Sequence, residues 1–271
     1  MSAADRRARF HELHAREGIF VMPNPWDVGS ARILQSCGFE ALATTSAGHA
    51  WLLGKDDHQV TRDELVAHVA ELAAAVDVPL SVDSERCFSN DAAGVAETVR
   101  LLADAGAAGC SIEDWDSEAG RIDDPGHSTE LVAAAVEAAH DRPDPLVLTA
   151  RAENHLHGVA DLDDTIARLV AYRSVGADCV YAPGLTDPEQ IATVVAAVEA
   201  PVNVLALPAA PSVSELGRLG VRRVSTGSLL ARSAYGALLA GARELVSMGT
   251  SGYAELGISP EERAAAFGPR P

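Results

Sequence analysis

The sequence predicts one (β/α)8 TIM barrel, an α/β fold, and three observations support that prediction. Eight short apolar segments alternate with longer Ala- and Leu-rich segments whose apolar residues recur at helical spacing. The composition shows no break along the 271 residues, which indicates a single domain over 1–271. Hydrophobic residues make up 48% of the chain and aromatic residues only 4%, a balance typical of helices packed on a buried parallel sheet.

The elements follow one another with room for a helix after each strand. The predicted strands are 18–23, 40–46, 79–83, 109–113, 146–151, 178–183, 201–207 and 221–226. Helices are predicted at the N-terminus and between the strands, including 62–76, 92–106 and 163–176. Gly106 and Gly176 end two of them directly before a strand, where Gly supplies a left-handed C-terminal cap. An open doubly wound sheet is the alternative, but it normally carries a Gly-rich first turn, and the sequence has no G-x-G-x-x-G.

Charge and cysteine content exclude several classes of partner. The net charge of −18 and the pI of about 4.8 argue against binding of nucleic acid or of an anionic membrane surface. The four cysteines form no C-x-x-C pair, which indicates free thiols in a reducing compartment. The sequence has no signal-peptide core and no apolar run long enough to span a bilayer. We therefore expect a cytoplasmic protein.

Polar residues stand where the predicted strands end, and the chemistry of a barrel lies at those C-terminal ends. Asp83 and Glu85 follow the third strand, and Glu113 ends the fourth. Clustered carboxylates repel one another unless a cation neutralises them. Oxygen ligands without His or Cys suit Mg²⁺ or Mn²⁺, so these three residues are predicted metal ligands. The alternative is that they are helix caps or solvated acids in loops.

Arg151 and a run of small residues predict binding of an anionic substrate. Arg151 ends the apolar fifth strand, and an arginine is rarely buried without a partner. Its fork of donors fits a carboxylate or phosphonate, although an internal salt bridge with Glu153 or Glu113 is the alternative. The Ser-Ala-Gly run after the second strand offers backbone N–H groups for an anion, or forms only a tight turn. Asn203, in the seventh strand, is a further candidate for substrate binding.

In order and spacing, these segments resemble the isocitrate lyase/phosphoenolpyruvate mutase superfamily over most of the chain. The resemblance is carried by MPNPWDVGSARILQSCGFEALATTSAG, GKDDHQVTRDEL, VDSERC, SIED and TARAEN. It implies a Mg²⁺-dependent barrel that acts on small 2-oxo or 2-hydroxy carboxylates. It also implies a dimer or tetramer of identical chains, in which a C-terminal segment of about 228–271 is swapped onto a neighbouring subunit.

The resemblance also implies roles for single residues. Asp83 would bind Mg²⁺ directly, and Glu85 and Glu113 would hold it, through water where needed. Asp57 matches the catalytic aspartate of the loop after the second strand, with Asp56 as a competitor. Arg151 would orient or neutralise the substrate. The residues matched to binding of the substrate carboxylate are Thr45, Ser46 and Ala47.

The loop after Glu113 departs from the best-known members of that superfamily. It reads DWDSEAGRIDDPGHS, without the K-[KR]-C-G-H of the isocitrate and methylisocitrate lyases or the K-x-N-S of the phosphonate-forming mutases. We expect this loop to act as a lid. The predicted activity is a carbon–carbon lyase or decarboxylase that acts on a small 2-oxo or 2-hydroxy dicarboxylate through a pyruvate-like enolate. The alternatives are a mutase or hydrolase of phosphonopyruvate-like acids, and a non-catalytic barrel that binds a carboxylate.

Overall fold

The computed structural model describes residues 1–268 and contains all eight predicted barrel strands. Residues 269–271, which the sequence placed in the same domain, lie outside the described residues. The barrel strands are β1 (Phe20–Met22), β2 (Leu42–Ala43), β3 (Leu80–Asp83), β4 (Gly109–Glu113), β7 (Val147–Arg151), β8 (Cys179–Tyr181), β9 (Val202–Leu205) and β10 (Arg223–Ser225). A separate hairpin is formed by β5 (Trp115–Asp116) and β6 (Arg121–Ile122).

The eight strands run parallel in the order β1-β10-β9-β8-β7-β4-β3-β2. The two outermost strands meet beyond the regular ladder, where the backbone N–H of Ala43 donates to the carbonyl of Pro23 at 3.1 Å. The sheet is therefore a nearly closed barrel, as the sequence predicted. Inward and outward side chains alternate along each strand, and the outward set packs under the helices.

The helices surround the barrel, and the predicted ones at 62–76, 92–106 and 163–176 are confirmed. They are α1 (Ala3–Ala15), α2 (Val28–Ser36), α3 (Ser46–Leu52), α4 (Arg62–Ala75), α5 (Ala92–Asp104), α6 (Pro125–His140), α7 (Leu162–Ser174), α8 (Pro188–Val198), α9 (Val213–Arg218), α10 (Leu229–Met248) and α11 (Pro260–Phe267). A 3-10 turn, Gly252–Leu256, separates the last two. Gly106 and Gly176 have φ of 99° and 106°, the conformation expected of C-terminal caps. Across residues 1–268, no helix combines the length and apolarity needed to cross a membrane.

Helix α1 closes the N-terminal end of the barrel. Phe10 and Leu13 are fully buried and pack with Phe20 and Val147 at the start of two strands. Gly109 leaves room for this contact, because a Cβ there would lie 2.7 Å from the Phe10 ring. Helix α1 thus closes the N-terminal end of the barrel, and the interior opens toward the C-terminal ends of the strands.

The C-terminal segment leaves an apolar helix face uncovered. In α10 only Ala231 and Gly241 are buried, while Leu238 and Val246 are 67% and 90% exposed. Helix α11 packs on α2 of the same chain, where the Arg32 guanidinium lies 5.9 Å from the centre of the Phe267 ring. Within the segment predicted to contact a neighbouring subunit, α10 therefore presents a long exposed apolar face, and Leu256 in the 3-10 turn is exposed as well.

Candidate active site

A cavity of about 250 Å³ opens at the C-terminal ends of the strands, where a barrel carries its chemistry. Most of the predicted site residues line it. They are Thr45, Ser46, Ala47, Asp57, Asp83, Arg151 and Asn203. Asp83 and Arg151 end their strands, Thr45 to Ala47 follow β2, Asn203 lies within β9, and Asp57 comes from the loop after α3.

Arg151 forms the centre of a buried ionic cluster beside this cavity. Its Nη1 lies 2.7 Å from Oδ1 of Asp83, its Nη2 3.1 Å from Oε2 of Glu113, and its Nε 2.8 Å from Oε1 of Glu153. The ring of Tyr181 lies 5.4 Å from the guanidinium carbon, within range of a cation–π contact. Both salt bridges that the sequence left open are present, together with the one to Asp83. One guanidinium thus faces three carboxylates.

Two carboxyl groups of this cluster have a raised pKa. Burial raises the pKa of Glu113 well above its ordinary value, and Arg151 offsets this shift only in part. Burial likewise raises the pKa of Glu153, again against the lowering effect of Arg151. The neighbouring carboxylate of Asp83 adds to both increases. The cluster therefore favours any further positive charge that can approach it.

Asp57, and not Asp56, lies on the cavity. Burial raises the pKa of Asp57, the charge of Asp83 adds to that increase, and a hydrogen bond with the Ser46 side chain opposes it. Asp56 is exposed, and its Oδ1 accepts a hydrogen bond from the backbone N–H of Asp57 at 2.9 Å. A half-buried carboxylate with a raised pKa is suited to take up a proton.

Glu85 points away from the main cavity, into a neighbouring groove. Its backbone adopts the left-handed conformation, with φ of 50°, and its Oε2 lies 3.2 Å from Nδ1 of His58. Burial raises the pKa of Glu85, and His58 counteracts this shift. The backbone carbonyl of Glu85 accepts from the N–H of Glu113 at 3.0 Å, which ties the two acidic segments together.

The predicted metal ligands are the carboxylates of Asp83, Glu85 and Glu113. In the part of the chain that the structure describes, no three acidic, His or Cys side chains converge closely enough to enclose an ion by direct contacts. The donors are nevertheless all carboxylates, and the charges of Asp83 and Glu85 both raise the pKa of Glu113. Such a set fits Mg²⁺, which keeps several of its waters and needs only one or two protein oxygens.

The Ser-Ala-Gly run forms the first turn of α3 and not an isolated turn. Thr45 is the N-cap of this helix, and the backbone N–H of Ser46 donates to Oδ2 of Asp83 at 3.1 Å. The amide that the sequence offered to a substrate anion is thus used by an acid of the site itself. The N–H of Asp83 in turn donates to the hydroxyl of Thr44 at 2.9 Å, which fixes the end of β3.

The segment after Glu113 is a hairpin where the sequence predicted a loop. Asp114, at its base, is buried and accepts from the backbone N–H of Glu153 at 2.8 Å and from the Tyr172 hydroxyl at 2.7 Å. Trp115 stacks on His157 with the ring centres 3.5 Å apart. The base of the hairpin is therefore held by groups from distant parts of the chain, and its turn lines the groove that contains Glu85, while its action as a lid stays a prediction.

Three residues in or beside the cavity were not among the predicted site residues. Glu153 was predicted only as a salt-bridge partner of Arg151, and Tyr181 lies in the predicted strand 178–183 without a predicted role. Arg223 lies inside the barrel two residues before Ser225, so it points inward like Ser225. That alternation was the signal in the sequence that could have identified it.

Comparison with known proteins identifies the family. The family model of phosphoenolpyruvate phosphomutase matches residues 10–246. A solved structure described as a lyase/mutase from Burkholderia cenocepacia has a TM-score of 0.94 and 48% identity, over 98% of this chain and 97% of that one. An oxaloacetate decarboxylase of Paraburkholderia xenovorans is 32% identical over 232 residues, 82% of this chain and 75% of the relative.

A second solved structure extends the likeness to a hydrolase. It is an oxaloacetate acetylhydrolase in complex with its product oxalate, with a TM-score of 0.86 and 25% identity over 98% of this chain and 94% of that one. The family match sets aside a non-catalytic barrel, since this is a family of lyases and mutases. The chain belongs to the phosphoenolpyruvate mutase family, and it is an enzyme of the isocitrate lyase/phosphoenolpyruvate mutase type.

Proposed function

We propose that this enzyme is a Mg²⁺-dependent carbon–carbon lyase or decarboxylase that acts on a small 2-oxo or 2-hydroxy dicarboxylate. The observation that carries the proposal is the cluster of Asp83, Glu113 and Glu153 around Arg151, beside a cavity that also holds Asp57. The cavity of about 250 Å³ suits a short acid. Relatives that act on oxaloacetate support a dicarboxylate.

The metal would be held by Asp83 directly and by Glu85 and Glu113 through water. When bound, Mg²⁺ would act as a Lewis acid that stabilises the negative charge of an enolate. The acidic excess of the Arg151 cluster supports this assignment, because one guanidinium does not balance two buried carboxylates and the half-buried Asp83.

The side chains of the cavity would orient the substrate and move its proton. Thr45, Ser46 and Ala47, at the start of α3, would bind a substrate carboxylate through the two hydroxyl groups and the Ala47 N–H, because the Ser46 N–H already donates to Asp83; Arg151 would neutralise the charge. Asp57 would take the proton of a 2-hydroxyl group, which starts cleavage of the adjacent carbon–carbon bond. A 2-oxo acid with a 3-carboxylate loses CO₂ without such a base.

A substrate screen with one pair of variants tests the proposal. Oxaloacetate, alkylmalates, methylisocitrate and phosphonopyruvate are incubated with Mg²⁺, and pyruvate release is measured. We expect turnover of a diacid by the wild type and none by Asp83→Ala. Asp104→Ala is the control, because Asp104 is exposed in α5 and pairs only with Arg142. Metal-independent turnover by Asp83→Ala would refute the metal assignment, and rearrangement of phosphonopyruvate would favour a mutase.

We also propose that the enzyme is a homo-oligomer, a dimer or tetramer, in which a second copy covers α10. The exposed Leu238, Leu239, Val246 and Met248 support this, since a contiguous apolar helix face of this kind is typical of an interface. Light scattering after size exclusion measures the mass. A monomer at micromolar concentration would contradict the proposal.

A further inference from the structure

Arg223 is a buried cation without an acidic partner. Its side chain is 3% exposed, and its Nε donates to Oδ1 of Asn203 at 2.9 Å. Its Nη1 donates to the Thr149 hydroxyl at 3.0 Å and lies 3.2 Å from Nε2 of His14. Burial, with the charge of Arg223 next, holds the pKa of His14 at about 3, so this imidazole is neutral. Nη2 has no acceptor among residues 1–268.

The other buried arginines of the barrel are all paired with carboxylates. Arg7 forms an ion pair with Asp144, and Arg168 pairs with Asp114 at 3.1 Å and with Asp164 at 2.7 Å. Arg151 faces three acids, as described above. Burying a guanidinium is strongly unfavourable unless a negative charge compensates it. Among residues 1–268, no carboxylate forms an ion pair with Arg223 to supply that compensation.

The guanidinium of Arg223 lies below Arg151 in the same cavity. Its partner Thr149 is the inward-facing residue that precedes Arg151 on β7, about 6.6 Å lower along the strand. Arg223 lines the cavity together with Ser81 and Ser111, at a level where barrels of this type usually carry branched aliphatic side chains. The cavity floor is therefore polar and positively charged, and Nη2 is free to bind a ligand.

A short diacid has one carboxylate to offer to each level. Three carbon–carbon bonds of about 1.5 Å each separate the two carboxylate carbons of a four-carbon diacid, so its two carboxylates can contact side chains at different levels of the barrel. A ligand held by one carboxylate near Arg151 would bring its second carboxylate to the floor. Arg223 could then form a charge-assisted hydrogen bond through Nη2.

We propose that Arg223 forms an anion subsite at the cavity floor, which binds the second carboxylate of the substrate and selects diacids over monoacids. The inference rests on the proposed function, because it places the substrate of that reaction. The same chemistry would also bind a free anion such as phosphate. The observations favour the substrate carboxylate, because the floor is part of one continuous cavity with the Arg151 cluster.

Calorimetric binding tests the subsite without requiring turnover. The dissociation constants of 3,3-difluorooxaloacetate and pyruvate are measured in Mg²⁺ buffer for the wild type, Arg223→Gln and Arg223→Lys. We expect Arg223→Gln to weaken binding of the diacid by about 10- to 100-fold and that of pyruvate by less than about 3-fold. Arg223→Lys, which retains the charge, is expected to give an intermediate loss.

Arg222→Gln is the matched control. Arg222 directly precedes Arg223 at the start of β10, and its guanidinium donates to the carbonyls of Arg16 and Gly18 outside the cavity. This variant removes the same charge and should leave both dissociation constants unchanged. If Arg223→Gln does not fold, the ratio of the dissociation constants of the diacid and of pyruvate is compared between the wild type and Arg223→Lys.

Three outcomes would overturn the inference. Equal weakening of diacid and monoacid would make Arg223 a structural residue only. Dissociation constants for the diacid that stay at the wild-type value in both Arg223 variants would place the second carboxylate elsewhere. Arg223-dependent binding of sodium phosphate in the presence of pyruvate, with no effect on the diacid, would assign the subsite to a free anion. Failure of the proposed function is separate, since it requires that the wild type turn over no diacid at all.

Discussion

Replacement of Arg151 by Met removes the cation from the ionic cluster and keeps most of the side-chain volume. The guanidinium contacts Asp83, Glu113 and Glu153 at 2.7–3.1 Å, and it is nearly buried. The variant would leave these three carboxylates facing one another in a site with little water. We expect it to be destabilised as well as inactive.

The buried ion pairs of Arg151 determine how much stability the variant should lose. Removal of one partner of a buried ion pair typically costs about 3–5 kcal/mol, because the remaining charge stays buried without compensation. Glu113 has the strongest reason to take up a proton, since burial already raises its pKa well above the ordinary value. We therefore expect Arg151→Met to lower the free energy of unfolding by about 3–5 kcal/mol near pH 8.

The destabilisation caused by Arg151→Met should depend on pH. A carboxyl group whose pKa is higher in the folded than in the unfolded chain stabilises the fold when protonated, and this stabilisation is lost as the pH rises through the folded pKa. Loss of the Arg151 charge raises the pKa of Glu113 further. The difference between variant and wild type should therefore shrink from pH 8 to pH 5.5, and added Mg²⁺ should also reduce it.

Urea denaturation at both pH values, with and without Mg²⁺, measures these differences. Arg62→Met is the control, because Arg62 forms an exposed pair with Glu97 at 2.9 Å and its loss should cost less than about 1 kcal/mol. A cost below about 1 kcal/mol for Arg151→Met, or a cost that grows as the pH falls, would refute the view of an over-acidic buried cluster.

Two further predictions concern the base and the barrel floor. Asp57→Asn should lower kcat for a 2-hydroxy diacid by about 10²- to 10⁴-fold, whereas Asp56→Asn should have little effect. Burial raises the pKa of Asp57 above 3.8, and the base acts when ionised, so kcat/KM should fall as the pH drops through that raised value. The same fall of kcat/KM at acidic pH in Asp57→Asn would contradict the role of Asp57 as the base. Gly109→Ala should cost about 1–3 kcal/mol of unfolding free energy, since its Cβ would meet the Val147 carbonyl at 2.6 Å. Gly236→Ala is the control in a urea titration, because a Cβ there meets nothing within 4 Å, and equal stability of the two variants would contradict the close packing.

The number of strands and the position of the site could be predicted from local signals. Each strand is a short apolar run followed by a turn or cap, and such signals act over a few residues. Parallel strands in a barrel must bring their C-terminal ends to one rim. The convergence of Asp83 and Arg151 on one cavity therefore follows from the order of strands alone.

The partners of these side chains could not be predicted in the same way. Arg151 pairs with Asp83 on β3, with Glu113 on β4 and with Glu153 two residues further along the chain. The distances between these groups depend on the tilt of the strands in the barrel. Glu85 turns toward His58 because its backbone adopts a left-handed conformation, which its residue type does not favour. The hairpin after Glu113 depends on Asp114, whose partners lie about 40 to 60 residues away along the chain.

The sequence by itself determined the eight-stranded barrel, the rim that carries the chemistry, and the acidic and basic groups placed there. Periodicity and chain order contain that information, because they fix which face and which end of each strand a residue occupies. Only the tertiary structure decided which charges neutralise one another. It paired Arg151 with three acids and, within the described residues 1–268, gave Arg223 none, because the energy of a buried charge depends on neighbours that fold together from distant segments.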